Sequence, residues 1–398
     1  MSAADVVSPA EIGAVLDRVL DYSERQGWRG YDKHDALNGR LVRALFGWSR
    51  WSRLLAIQAM MRSPINLRPL LQQPKVDNPK GLALFLLALL DRHALDGAPR
   101  DLDRARMLIA RLDALAVSTE SGAHAWGYQY PWQDLGFYAP SGMPNAVVTA
   151  FVCEALLAAH RSLGEAELLT RVERALPFFL GSLRRLKDEA DELCLSYMPV
   201  DMRMRVLDVS ILIAAVLAEF ARQSGETQWR EPARRLAGYV VHRQTAYHAW
   251  FYTDPPSDSP IRHDNYHTGF ILDALWRYMQ ASGDMSWEER YWRGMDFYAE
   301  KLFEPSGAPR WMSDQAYPYD IHGAAQGILS FSRHPARYGA LAQRITRWTL
   351  DEMYDPEGRF YYQRTRWYTK RFTFLRWCNA WMVRALAAQA RAQRHAID

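Results

Sequence analysis

The chain has 398 residues, 49% of them apolar and 13% aromatic, with 24% charged side chains and a formal net charge of only +4. That composition supplies a sizeable core and excludes a disordered chain. With no RNP-like, KH-like or basic-helix motif, so small a basic excess gives no footing for nucleic acid as a partner.

Ser8, Pro9 and Glu11 place a capping hydroxyl, a first-turn proline and an early acid together, which predicts a helix over about 9–25 packed outside the rest. The polar, glycine-bearing stretch at 28–40 is too long for a simple turn. It is either a functional loop or a cover for one end of the molecule. These parts form an N-terminal helix and loop, residues 1–39, and residues 40–398 form the main structural unit, with no Pro-, Gly- or Ser-rich linker dividing it.

Six apolar helices then follow at 78–90, 145–159, 207–220, 266–279, 320–332 and 377–389. Measured between Asn78, Asn145, Asp208, His267, His322 and Asn379, the steps are 67, 63, 59, 55 and 57 residues, the period of a helical hairpin repeat. More amphipathic segments alternate with them at 40–62, 101–117, 163–185, 227–243, 286–303 and 335–352. Helices apolar nearly all round are enclosed, and those with one charged flank face water. The expected fold is therefore all-α, an (α/α)6 toroid of six inner and six outer helices with an extra N-terminal helix. Its longest apolar stretch, 82–90, is too short to span a bilayer.

The long loops lead into the inner helices, and the opposite connections are short and plain, so the site is expected at the mouth formed by the inner N-terminal ends. The acid followed by histidine recurs there, in HDNYHTG at 263–269 and DIHG at 320–323. Among the loop aspartates, Asp258 reads as a turn residue and Asp208 as a helix cap, and Asp264 and Asp320 are the carboxylate candidates. Tyr266, His267 and His322 are the expected partners in proton transfer. Tyr130, Trp132, Trp311 and Trp367, with Gln133, are expected to line sugar subsites, because flat rings offer apolar faces to sugars. Arg203, Arg262, Arg364 and Arg366 are expected to hold acid groups through their guanidinium forks.

Cys153, Cys194 and Cys378 form no CxxC and read as buried thiols, so no metal is expected. No Gly-rich phosphate loop or nucleophile elbow is present, and no cofactor is expected. The cysteines, and a start without a basic segment and apolar run, lead to the expectation of a cytoplasmic protein.

GYDKHDALNG at 30–39, the stretch 65–86, WGYQYPWQ at 126–133, the stretch 143–157 and YHTGFILDAL at 266–275 resemble a bacterial family associated with surface polysaccharide gene clusters, some members of which carry a delta-aminolevulinic acid dehydratase label. More distantly, the repeat layout resembles the six-hairpin glycosidase superfamily, and Tyr266 and His267 are similar to the helix start in the C-terminal domain of D-glucuronyl C5-epimerases. The resemblance implies a helical toroid acting on sugars. Dehydratase chemistry is not expected, since it needs a (β/α)8 barrel with Schiff-base lysines.

The first functional expectation is cleavage of glycosidic bonds in an acidic, uronate-containing oligo- or polysaccharide. Two alternatives stay open: proton abstraction at C5 of a uronate by a lyase or epimerase, and a noncatalytic glycan-binding or assembly protein. The sequence leaves the oligomeric state open.

Overall fold

Ser8 accepts a hydrogen bond from Glu11 N at 3.1 Å and Pro9 fills the first turn, opening helix α1 (Pro9–Arg25). The computed structural model describes residues 6–135 and 137–395. Past α1 come two short helices, α2 (Arg40–Phe46) and α3 (Arg50–Arg62). Asn78 and Asn145 then cap α4 (Pro79–Asp96) and α6 (Ala146–Leu163), each accepting from a backbone N–H three residues on, at 3.2 and 2.8 Å. Each cap satisfies one N–H that a helix start leaves orphaned. Between them runs α5 (Pro99–Ala114), and beyond them α7 (Ala166–Glu173), α8 (Leu207–Ser224), α9 (Arg230–Val241) and α10 (Asn265–Ser282). The remainder are α11 (Glu288–Lys301), α12 (Ile321–Ser332), α13 (Pro335–Met353) and α14 (Trp381–His395), the last preceded by a wide helical turn at Leu375–Ala380.

The even-numbered helices from α4 to α14 pack side by side in a closed circle, with α14 returning to α4. Outside them α5 packs on α4, α7 between α6 and α8, α9 on α8, α11 on α10 and α13 on α12. The sixth outer place, against α14, belongs to α1. The expectation that 40–62 fills an outer place is therefore corrected: α2 and α3 pack instead on the turn Asp35–Asn38 and the strand Trp132–Gln133, forming a cap over the mouth. The reason is amphipathicity. Ile12, Leu16, Val19 and Leu20 give α1 one fully buried flank, whereas much of the apolar surface of α2 and α3 stays outside. The predicted helix at 163–185 is also shorter. Helix α7 stops at Glu173, a wide helical turn at Phe178–Ser182 resumes the winding, and a hairpin of Arg185–Asp188 with Leu193–Leu195 follows.

By length and composition α6 is apolar enough to cross a membrane, but it lies in the inner ring between α4 and α8. Its apolarity is that of an enclosed helix. Helices α6 and α8 end at Gly164 (φ 70°) and Gly225 (φ 81°), left-handed positions that turn the chain toward its outer partner. Open space surrounds the Gly225 Cα. Gly225→Ala is thus expected to cost about 1 kcal/mol through backbone strain alone, read from urea unfolding midpoints.

Candidate functional site

Helix α10 starts at Asn265, so Asp264 sits just before its first turn and His267 faces the same side one turn on. The Asp264 carboxylate makes no capping bond and instead accepts from His267 Nδ1 at 2.8 Å. A carboxylate only accepts, so Nδ1 carries a proton, and in the neutral imidazole Nε2 presents a lone pair. Asp264 is buried, while the His267 side chain keeps 16% of its exposure. Its ring rests against Tyr252 and Tyr266, with centroids 4.3 and 4.4 Å away. Asn265 points elsewhere, donating to Leu302 O and accepting from Tyr298 OH.

Asp320 stands at the start of α12, in a short strand whose partner residue is Gln363. Its carboxylate accepts from His322 N at 3.0 Å, Trp377 Nε1 at 2.8 Å and Gln363 Nε2 at 2.8 Å. Burial raises its pKa, an effect Lys33 and these donors oppose. His322, buried beside it, lies flat on Tyr266 with centroids 4.6 Å apart and edge-on to Trp377 at 4.4 Å. Neither ring nitrogen has a hydrogen-bond partner among the described residues. Burial, with Lys80, Arg376 and Lys33 nearby, holds the ring well below the usual histidine pKa, so it is neutral. Tyr266 lies between the two imidazoles, and burial with the neighbouring Asp264 and Asp320 keeps its hydroxyl protonated.

The segment after α1 covers this floor. Lys33 is buried with its ammonium 3.7 Å from the Trp377 ring centroid, and also faces Tyr266 and Trp311 at 5.7 and 6.0 Å. Among the described residues it has no carboxylate at ion-pairing distance. Burial pulls its pKa down to about 8, against the pull of Asp320. Asp32 anchors the segment: its carboxylate takes Arg376 Nε at 2.5 Å and a second guanidinium N–H at 2.7 Å, and Asn78 Nδ2 at 3.1 Å. Three residues on, Asp35 accepts from Arg68 Nε at 2.5 Å, and burial pushes its carboxyl up to about 6 despite that partner. His34 stacks obliquely on Trp132 at 5.3 Å.

Lys33, Asp32 and Arg376 are absent from the residues sequence reasoning singles out for chemistry, as is Lys80. Their signal is the DKHD string at 32–35 between two glycines, and a lysine in the first turn of an otherwise apolar helix. Lys80 is buried with its ammonium 4.0 Å from the Phe151 ring centroid, and burial drives its pKa far down. Asp208, expected as a cap, lies in the first turn of α8, where Val206 holds the cap position. Burial raises its pKa, and its Oδ1 has no partner among the described residues.

Asp264, Tyr266, His267, Asp320 and His322 are thus brought together, with Trp311 at 6.2 Å from Tyr266 and Trp132 in the wall beside His34. Other expected subsite residues lie elsewhere. Tyr130 is buried behind Tyr128, stacked at 5.3 Å. The Gln133 amide is used up within its hairpin and by Arg53. Trp367 is 82% exposed at the tip of the hairpin formed by Gln363–Arg364 and Thr369–Lys370, with Arg366 beside it. Arg262 pairs with Asp314, Arg364 pairs with Glu352, and Arg203 is exposed. Loop arginines find aspartates and glutamates locally, which sequence spacing does not reveal. Among the described residues no group of three His, Cys, Asp or Glu side chains is placed to hold a metal ion. The three cysteines are buried and unpaired.

No protein-family model matches the chain, and no curated protein matches it by sequence. Solved structures match it in fold. A cellobiose 2-epimerase from Bacillus thermoamylovorans B4167 superposes with a TM-score of 0.62 at 10% identity, over 80% of this chain and 88% of that one. A GH76 α-mannanase from Bacteroides thetaiotaomicron gives 0.60 at 13% identity, over 80% and 87%. A polysaccharide lyase gives 0.61 at 9% identity and spans 98% of both chains. The fold these structures share with the chain is an (α/α)6 toroid.

Proposed function

We propose that this protein is a carbohydrate-processing enzyme that moves a proton at a sugar carbon next to a carboxylate, in an acidic oligo- or polysaccharide. The Asp264–His267 pair carries the reading: a buried carboxylate orients an imidazole whose free nitrogen lies at the partly open end of the ring. Hydrolysis by two carboxylates needs one free to protonate the leaving oxygen. Asp320 is held by three donors, none of them an imidazole nitrogen, and Asp264 orients the His267 ring, so neither aspartate is free for that role.

In elimination, His267 Nε2 takes the proton from C5, the electron pair forms the C4–C5 double bond, and the C4–O bond breaks. The leaving oxygen takes its proton from an acid, for which Tyr266 is the neighbouring phenol. Return of a proton to the other face of C5 from the Tyr266 phenol would give the epimer instead. The Lys33 ammonium neutralises the sugar carboxylate while charge builds on it. The neighbours named as an epimerase, a mannanase and a polysaccharide lyase support an enzyme that acts on carbohydrate.

The test is incubation with a panel of uronate-containing and neutral polysaccharides in D2O, followed by ultraviolet absorbance and mass analysis. Unsaturated products or deuterium at C5 are expected. Products heavier by water without deuterium at carbon would establish hydrolysis instead, and no turnover on any glycan would leave a binding protein. Lys33→Met is expected to lower kcat/KM about 10²-fold or more on uronate substrates, as loss of a charge-stabilising group does, which initial rates would check.

A further inference from the structure

The cap helices carry a surface unlike the rest of the chain. On their inner side Val42, Ala56, Ile57 and Met60 are buried against Ala36 and Leu37. On the outer side Leu41, Leu45, Trp48, Trp51 and Leu55 are 52%, 58%, 78%, 69% and 62% exposed. Along α3 the exposed residues Trp51, Leu55, Ala59 and Arg62 recur at helical spacing, so they form one stripe. A patch of large apolar side chains this concentrated marks an interaction surface.

Its charge identifies the partner. From Ala36 through Val76, 41 residues, there is no Asp or Glu, but there are seven basic residues. Arg68 is consumed by Asp35 inside the cap, and Arg40, Arg43, Arg50 and Arg62 are exposed around the apolar stripe. A second copy docked face to face would set arginines against arginines with no acid between them. Leucine and indole side chains bordered by guanidinium groups instead match a lipid headgroup region, where apolar groups reach the acyl boundary, Trp sits at the interface and arginines meet phosphates.

We propose that α2 and α3 seat the protein on an anionic bilayer surface. The same segment roofs the candidate site, since Lys370 Nζ donates to Met61 O and Arg53 Nε to Gln133 Oε1, beside Trp132. Docking would therefore turn the mouth of the ring toward the membrane.

Flotation of the full chain with phosphatidylcholine vesicles, alone or mixed with phosphatidylglycerol, tests this. Binding to the mixed vesicles only, released by high salt, is expected. Trp48→Ser with Trp51→Ser should abolish it, and Arg43→Gln with Arg62→Gln should weaken partitioning roughly 25-fold, at about five-fold per arginine, with melting curves unchanged. Absence of flotation with either vesicle, equal binding to both, or wild-type binding by both double variants overturns the proposal. So does a dimer in size-exclusion chromatography that the tryptophan changes dissolve while vesicles stay unbound.

Discussion

His267→Ala should lower kcat by about 10²- to 10⁴-fold on whichever glycan the panel identifies, the range carried by one positioned proton-transfer group. The melting temperature should fall as well, because the buried Asp264 carboxylate loses its hydrogen-bond partner, so rates are compared where the variant is still folded. Asp264→Asn tests the same unit from behind. Its amide N–H₂ facing Nδ1 favours the wrong tautomer, a change that costs about 10⁴-fold in the serine-protease triad. Initial rates of product absorbance and of deuterium exchange would measure both. If His267→Ala kept its rate within about ten-fold while Asp320→Asn abolished turnover, the imidazole-centred chemistry would be lost and a carboxylate-centred one would replace it.

Asp32→Ala should be the most destabilising single change, costing roughly 3–5 kcal/mol, because it strands the buried Arg376 guanidinium. Against the 5–15 kcal/mol typical of whole domains, about a third of the stability would go. Asp32→Leu combined with Arg376→Leu should lose much less, since no charge is then left alone. Guanidinium chloride unfolding of the three proteins distinguishes these outcomes. Burial pushes the Asp32 carboxyl up, but the Arg376 charge and hydrogen bonds outweigh it and hold it at about 2. Unfolding therefore takes up a proton between about 4 and 2. The pair's contribution is complete above that window and lost as the pH falls through it.

The ring was legible from sequence because enclosed helices must be apolar on every face, and the six runs differ visibly from their amphipathic partners. The assignment of 40–62 to the outer ring failed for a physical reason. Leu41, Leu45, Trp51 and Leu55 look like a buried flank, yet they face outward, and composition alone does not tell a core face from a docking face. The acid-and-histidine pairs at 264–267 and 320–322 marked the floor of the site through local spacing. Lys33 and Arg376 arrive there from opposite ends of the chain, and their meeting at Asp32 and Trp377 is a tertiary event without local periodicity. The stretch at 28–40, open in sequence between a functional loop and a cover, packs over the floor of the candidate site.

Because α1 leans on α14, the wall is shut by two helices separated by nearly the whole polypeptide. During synthesis the growing chain is an open crescent, with the flank of α4 awaiting a neighbour that is translated after the other five inner helices. Such distant pairing is slow and leaves apolar surface available for wrong partners in the interval. A chain halted before Trp381 would hold five of the six inner helices and leave the apolar flanks of α4 and α12 facing water.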